Sequence, residues 1–389
     1  MENNKKIKIC LFTDTICDAN GVSRFLQDMA KESLKQEDVE FNILSSTVKT
    51  YCDELQNVHI FKPVIRMLMP FYKELDLVIP PAFKMAKKVK ELKPDVMHVS
   101  TPGFIGVVGV FIAWRYKIPL VGTYHTDFPM YLYKNTNSNI IKNITSFFMR
   151  LFYLKFKALA TRSREYIDNI YNDIKFSKDK IYFLQPGTNI KSFDPKYYNE
   201  NLWEEYKLNS NYTKFLYVGR ASKEKNLDVL FEKWKEFYHK SELKNSYLVI
   251  VGNGDLEKHK EELRSYNVVF LGHKQKEELS SIYASSDVFV FPSTTDTLGQ
   301  VVLEAMASAT PVIVTDEGGP AGIVNGSEDN VGYVINTKQK DKWIDTFIKI
   351  ENAQIDTKVL GENAHEYSAS FSITNTFNSF IDIHRNTIN

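Results

Sequence analysis

Five side chains have the types and spacing to act on an anionic substrate. Arg220 and Lys225 flank a turn after the apolar run 215–218. A guanidinium and an ammonium around a strand-to-helix turn can hold a diphosphate, with turn N–H groups completing the cradle. Asp296 and Glu304 stand eight residues apart, on either side of a helix start. Such acids serve as a cap and a face residue, or as ligands of a substrate whose anion sits at the helix N-terminus. His125 opens the polar cluster His125-Thr-Asp-Phe-Pro129 after the run 119–124. Parallel sheets bind ligands at the carboxyl ends of their strands, whereas a histidine elsewhere is more often a satisfied core residue. Gly21 lies between the run 7–12 and a helix, so a turn with positive φ or a close backbone approach is expected there.

These groups need elements to position them. The run 287–292 reads as a buried strand stopped by Pro292, and Thr297-Leu-Gly-Gln300 matches a capping box that starts a helix through Ala307. Thr310-Pro311 ends that helix, 312–315 is the next strand, and Gly318-Gly319-Pro320 is a turn. Upstream, strands are expected at 7–12, 41–44, 58–61, 95–99 and 119–124, with helices over about 23–35, 80–92 and 101–115. Strands at 215–218, 247–252 and 268–272, with helices from Asn226 and over 276–284, repeat the pattern. Strand–helix alternation of this kind gives an α/β fold with doubly wound parallel sheets. A polar linker around Pro186-Gly187 and Phe193-Asp-Pro195 divides the chain into domains 1–190 and 191–369, facing a central cleft. A last helix, about 370–389, is expected to pack back on the first domain.

Composition narrows the function classes. The chain has 389 residues, enough for two domains, and 43% hydrophobic residues, enough for large cores. Its 49 Lys+Arg balance 48 Asp+Glu, so no global charge calls for a nucleic acid. Cys10, Cys17 and Cys52 are odd in number and form no CxxC, which suits a reducing cytoplasm. No signal peptide or membrane-spanning run is evident, so a cytoplasmic protein, soluble or peripheral on the inner membrane face, is expected. One segment stands apart: between Phe128 and Arg164 there is no acid, and 134–164 holds seven cations among aromatics such as Phe147, Phe148, Phe152 and Phe156. The segment reads as helical: either the aromatics are core and the cations solvated, or it lies on an anionic bilayer as an interfacial helix.

With both halves read, the sequence resembles glycosyltransferase family 4, retaining nucleotide-sugar transferases of GT-B fold, two Rossmann-like domains. The resemblance rests on Asn20-Gly-Val22, His125-Thr-Asp-Phe-Pro129, Gly219-Arg-Ala-Ser-Lys-Glu-Lys-Asn226, Phe291 to Ala305 and Gly318-Gly-Pro320, in the family's order. His-Thr-Asp-Phe-Pro points to the branch of sulfoquinovosyl-diacylglycerol synthase and the GDP-mannose-dependent α-mannosyltransferases. The resemblance implies that Arg220 and Lys225 neutralise the donor diphosphate and that Glu304 binds the nucleoside ribose. It places His125 beside the donor sugar and Gly21, Gly219, Leu298, Gly299 and Gln300 along the donor. Asp296 falls where the family usually has Glu, one methylene longer. No Asp-x-Asp metal motif is present, and no metal or other cofactor is expected beyond the UDP- or GDP-linked sugar. The implied reaction moves a hexose to a lipid or glycan acceptor in cell-envelope synthesis. An epimerase or hydrolase on the same fold, or a sugar-nucleotide-binding protein without turnover, is the alternative.

Overall fold

The computed structural model describes residues 6–388 apart from 19, 50–53, 70, 71, 163, 222–224, 255, 256, 275 and 297. Side chains of 68, 69, 72–76, 134, 135, 165, 257–259 and 276 are likewise outside the description. The chain divides into two compact units, Met1–Pro186 with Ile373–Asn389, and Gly187–Ser372.

In the first unit the strands are β1 (Ile7–Phe12), β2 (Val39–Ser46), β3 (Val58–Phe61), β4 (Ile65–Met69), β5 (Tyr72–Ile79), β6 (Val96–Val99), β7 (Leu120–Tyr124), β8 (Ala158–Thr161) and β9 (Ile181–Phe183). Seven of them form one sheet in the order β3-β2-β1-β6-β7-β8-β9, with every pairing parallel. β4 and β5 form a separate antiparallel hairpin. The helices preceding β9 that matter here are α1 (Gly21–Ser33), α2 (Ala82–Leu92), α3 (Phe104–Tyr116), α4 (Phe128–Thr136) and α5 (Asn139–Tyr153). Alternation along β1 explains the layers. Ile7, Ile9 and Leu11 enter a core with Phe25 and Met29 of α1, while Cys10 and Phe12 enter the opposite core. That second core takes Met85 and Val89 of α2, Ile105 and Ile112 of α3, and Met149 and Tyr153 of α5. Helices α2, α3 and α5 therefore cover one face of the sheet, and α1 the other.

The C-terminal helix Ile373–Ile388 joins α1 on that other face, with Phe377 and Phe380 meeting the Phe41 ring edge-on at 6.0 and 5.7 Å. A buried chain of polar groups ties it to the sheet. His384 Nδ1 lies 2.6 Å from the carbonyl of Phe380, which can only accept, so this nitrogen carries the proton. His384 Nε2 therefore accepts from His98 Nδ1 at 3.0 Å, and His98 Nε2 accepts from the Thr123 hydroxyl at 2.9 Å. Burial first, then its histidine neighbours, hold His98 well below the usual imidazole range. Burial likewise pushes His384 down to about 4.

The second unit repeats the winding with β10 (Thr213–Val218), β11 (Ser246–Val251), β12 (Val268–Gly272), β13 (Val288–Phe291), β14 (Val312–Val314) and β15 (Gly332–Val334). They form one parallel sheet in the order β12-β11-β10-β13-β14-β15. Strand order reverses between β10 and β13, and between β1 and β6 in the first unit. Such switch points open crevices at strand carboxyl ends, the usual ligand sites of doubly wound sheets. Trp234, Trp343, Phe215, Phe237 and Phe347 build the centre of the second core.

Several expectations change. The segment 134–164 is not wholly helical: α4 and α5 are followed by β8, whose four residues are buried between β7 and β9. Gly318-Gly319-Pro320 opens a short helix, Gly319–Val324, with Gly318 as its cap at φ 82°. Gly21 is the exposed first residue of α1 and has helical backbone, because Asn20 caps the helix through a 2.9 Å bond from Ser23 N. Among the described cysteines, Cys10 is free and buried whereas Cys17 is disulfide-bonded, unlike the reduced thiols that suit a reducing cytoplasm; Cys52 lies outside the described residues.

Candidate active site

Three loops of the second unit, those after β10, β13 and β14, interlock at the switch point. Lys225 Nζ contacts both carboxylate oxygens of Asp296, at 2.6 and 2.7 Å, with both side chains mostly covered. The same ammonium lies 5.9 Å from the centre of the Phe291 ring. Asn226, left-handed at φ 55°, precedes helix Leu227–Lys240 and donates to Pro292 O at 3.1 Å and Thr294 Oγ1 at 3.2 Å. That bond fixes the cation loop to the end of β13. From the other side, Gly319 N donates to Asp296 O at 2.8 Å, and Thr315 Oγ1 donates to Ser293 O at 2.9 Å. A Cβ on Gly318 would stand 2.8 Å from Asp296 O, so this approach needs glycine.

Arg220 is half-buried, and its carbonyl accepts from the Tyr217 hydroxyl at 2.9 Å. Gly219 packs on that same hydroxyl, which a Cβ would meet at 2.8 Å. The structure thus puts Gly219, Arg220, Lys225 and Asp296 at one switch point, while 222–224 lie outside the described residues.

The helix after β13 runs Gln300–Ala307, and its cap is Gly299, left-handed at φ 71°, with no side-chain cap bond. The capping box is therefore not formed as expected, and Thr297 lies outside the described residues. Gly299 holds the cap position because a Cβ there would stand 2.7 Å from Pro320 Cγ. Leu298 and Gln300 are buried, and Gln300 Nε2 reaches Gly187 O at 3.4 Å. Glu304 is only 1% exposed, and its Oε2 accepts from the Tyr283 hydroxyl at 3.0 Å. Asp296 and Glu304 are thus unlike acids, one paired with an ammonium in a loop, the other inside the unit on a phenol.

In the first unit His125 stands at the end of β7, with Ser100, from the end of β6, at 2.8 Å from its Nε2. Phe25 meets the imidazole edge-on at 6.3 Å, and the Arg162 guanidinium lies 4.0 Å over the same Phe25 ring. Burial, and then the charge of Arg162, push the His125 imidazole down to about 3, so it is neutral near pH 7. Asp127 of the same motif caps α4, accepting from Met130 N at 3.1 Å and Asn169 at 3.0 Å. Sequence reasoning missed Ser100, Arg162 and Tyr283. It missed Asp14 too, whose carboxylate accepts from Thr101 Oγ1 at 2.7 Å and Ile105 N at 2.9 Å at the start of α3. Position after a strand could have flagged Ser100, whereas Arg162 follows β8, a strand the sequence hides; nothing in sequence spacing pairs Tyr283 with Glu304.

Two doubly wound domains of this kind are the GT-B class, and solved structures of that class match the whole chain. A sucrose-phosphate synthase from Thermosynechococcus elongatus has a TM-score of 0.75 at 16% identity, covering 98% of both chains. Anabaena HepE in complex with UDP-glucose has a TM-score of 0.72 at 17% identity, covering 98% of this chain and 100% of that one. Residues 19–192 match the model of Glycosyltransferase Family 4, and 199–367 that of Glycosyl transferases group 1. The chain is a glycosyltransferase and belongs to family 4.

Among relatives, the sulfoquinovosyl transferase of Arabidopsis thaliana is 27% identical over 307 residues, 78% of this chain and 58% of that protein. The chain thus spans little more than half of that relative. A GDP-mannose-dependent alpha-mannosyltransferase of Mycobacterium tuberculosis is 28% identical over 311 residues, 78% of each chain. An alpha-monoglucosyldiacylglycerol synthase of Streptococcus pneumoniae is 24% identical over 397 aligned positions, 95% of this chain and 87% of that one. These names favour a transferase over the epimerase, hydrolase and turnover-free alternatives.

Proposed function

We propose that this glycosyltransferase moves a hexose, with retention, from a UDP- or GDP-sugar to a lipid or glycan acceptor of the cell envelope. The observation that carries the reading is the Lys225–Asp296 pair at the β10/β13 switch point, beside Gly219 and Arg220. Breaking the sugar–phosphate bond leaves negative charge on the diphosphate and positive charge on the anomeric carbon. Lys225, already held in place by Asp296, and Arg220 stabilise the leaving diphosphate where that charge develops. Asp296, an anion beside them, keeps the ammonium oriented and faces the donor sugar. Glu304, positioned by the bond from the Tyr283 hydroxyl, accepts from the ribose hydroxyls. Gly21, Leu298, Gly299 and Gln300 complete the donor contacts, and neutral His125 hydrogen-bonds the sugar. The cations take the role a metal would fill, so activity should not need one. The name of one relative supports a diacylglycerol-type lipid acceptor and that of another a GDP donor, and the UDP-glucose complex of the structural neighbour supports UDP. The protein works in the cytoplasm, with the exposed basic and aromatic side chains of 134–164 resting on the anionic inner face of the membrane.

A panel of UDP- and GDP-sugars, read by nucleotide release with and without diacylglycerol and glycan acceptors in EDTA, tests this. Release that depends on one donor and one acceptor is expected, and Arg220→Ala should abolish it. Wild-type turnover in Arg220→Ala and Lys225→Ala would sink the residue roles.

A further inference from the structure

Helix α3 is apolar from Phe104 to Trp114, a pattern that belongs inside a protein. Only one side of it is inside. Ile105, Ile112 and Ala113 are buried, whereas Phe104, Val107, Phe111 and Trp114 are 46%, 50%, 58% and 62% exposed. Their spacing of three, four and three residues lines them along one outward stripe. Eleven apolar residues rise about 16 Å, too short to cross a bilayer core of about 30 Å.

The neighbours on this side of the sheet repeat the pattern. α5 buries Met149 and Tyr153 but exposes Ile144, Phe147, Phe148 and Leu151, and α2 exposes Phe83 at 95%. Of the aromatics in the basic segment, Tyr153 and Phe156 are core, while Phe147 and Phe148 face out. Charge identifies what covers them. Although the whole chain is balanced, residues 80–164 hold 14 Lys and Arg against three acids. Lys84 and Lys87 follow Phe83, and Arg115 and Lys117 follow Trp114, all exposed. Two copies of this face would repel each other, whereas an anionic plane satisfies three apolar-and-basic helices on one face of the sheet together. Trp at one end of an apolar stripe, next to two long cations, also suits the headgroup boundary.

We propose that the outward stripe of α3, Phe104, Val107, Phe111 and Trp114, inserts into the headgroup–acyl boundary of an anionic bilayer, as a second contact beside α5. This deepens the membrane part of the proposed function, which rests on 134–164 alone. It places the first unit against the membrane through the face opposite α1 and the C-terminal helix, so the bilayer never covers the His98–His384 side.

The chain supplies its own probe. Trp203, Trp234 and Trp343 are at most 3% exposed and belong to the second unit, so Trp114 is the one tryptophan open to lipid. The full-length protein is mixed with phosphatidylglycerol/phosphatidylcholine vesicles carrying brominated acyl chains, and flotation and tryptophan emission are read together. Co-flotation at low salt, with bromine quenching that disappears in Trp114→Phe, is expected. Phe111→Ser should lower partitioning about tenfold while leaving the thermal shift by nucleotide intact. Flotation without Trp114 quenching overturns the α3 insertion and leaves α5 as the contact. Absence of flotation on anionic vesicles at low salt overturns this proposal and the membrane part of the proposed function, and concentration-dependent dimerisation lost in Phe111→Ser would then assign the stripe to a second copy.

Discussion

The two units wind their sheets in the same way but finish their surfaces and strand ends differently. In the second unit the switch point carries an ammonium–carboxylate pair, and large exposed apolar side chains are few: Tyr198, Leu243 and Val359 among the described residues. The first unit's strand ends carry a neutral histidine on a serine, and its α2–α3–α5 face is left apolar and basic. The same architecture thus carries an ion pair at the switch point of one unit, and a neutral histidine at the strand ends and an uncovered apolar helix face in the other. The fold supplies the crevice, and a few loop and helix residues decide its chemistry.

The largest test of this contrast is Lys225→Ala. Turnover should fall by about 10²–10³-fold, the usual cost of one lost donor to developing negative charge. Stability measured by urea unfolding should fall by about 1–3 kcal/mol, because the mostly covered Asp296 carboxylate loses its partner. An unchanged kcat would remove the charge-stabilising role from the second unit.

Acid should strike the first unit instead. The unfolded chain protonates His384 below about 6.5 whereas the folded chain resists until about 4. Stability is therefore complete above pH 6.5 and declines as pH falls towards 4, by about 3 kcal/mol from this one residue. Amide exchange in Ile373–Ile388 should accelerate over that window, and His384→Leu should flatten the slope. Equal acceleration in the helices of the second unit would erase the distinction.

Tyr283→Phe probes the buried acid. Removing the hydroxyl from Glu304 should cost about 1–3 kcal/mol of stability, because the carboxylate stays buried. KM for the donor should rise if Glu304 holds the ribose, and stay level if it is purely structural. The smallest effect is expected from Ser100→Ala, about 1 kcal/mol, with a shifted imidazole resonance for His125. A titration of His125 near pH 6.5 in the wild type would contradict the enclosure seen around it.

Motif residues were the most legible part of the site. Lys225 and Asp296 lie 71 positions apart, yet each was recognisable because it follows a short apolar strand, and strand ends are where doubly wound sheets place ligands. Helix Gln300–Ala307 was legible as a helix but not at its first turn, where Pro320 leaves room only for glycine at position 299. β8 was hidden because Ala158-Leu-Ala-Thr161 is too short to show a period of its own and sits in a cationic, aromatic stretch.

By itself the sequence determined the doubly wound winding, since strand–helix alternation is a local pattern, and it determined which loops carry Arg220, Lys225, Asp296 and His125. Tertiary structure alone decided partners. Lys225 on Asp296, Tyr283 on Glu304, His98 on His384 and the outward turn of Phe111 and Trp114 all depend on which strands neighbour which, and on which helix face the sheet covers. Those are long-range choices, made by packing whole elements together, and no local spacing encodes them.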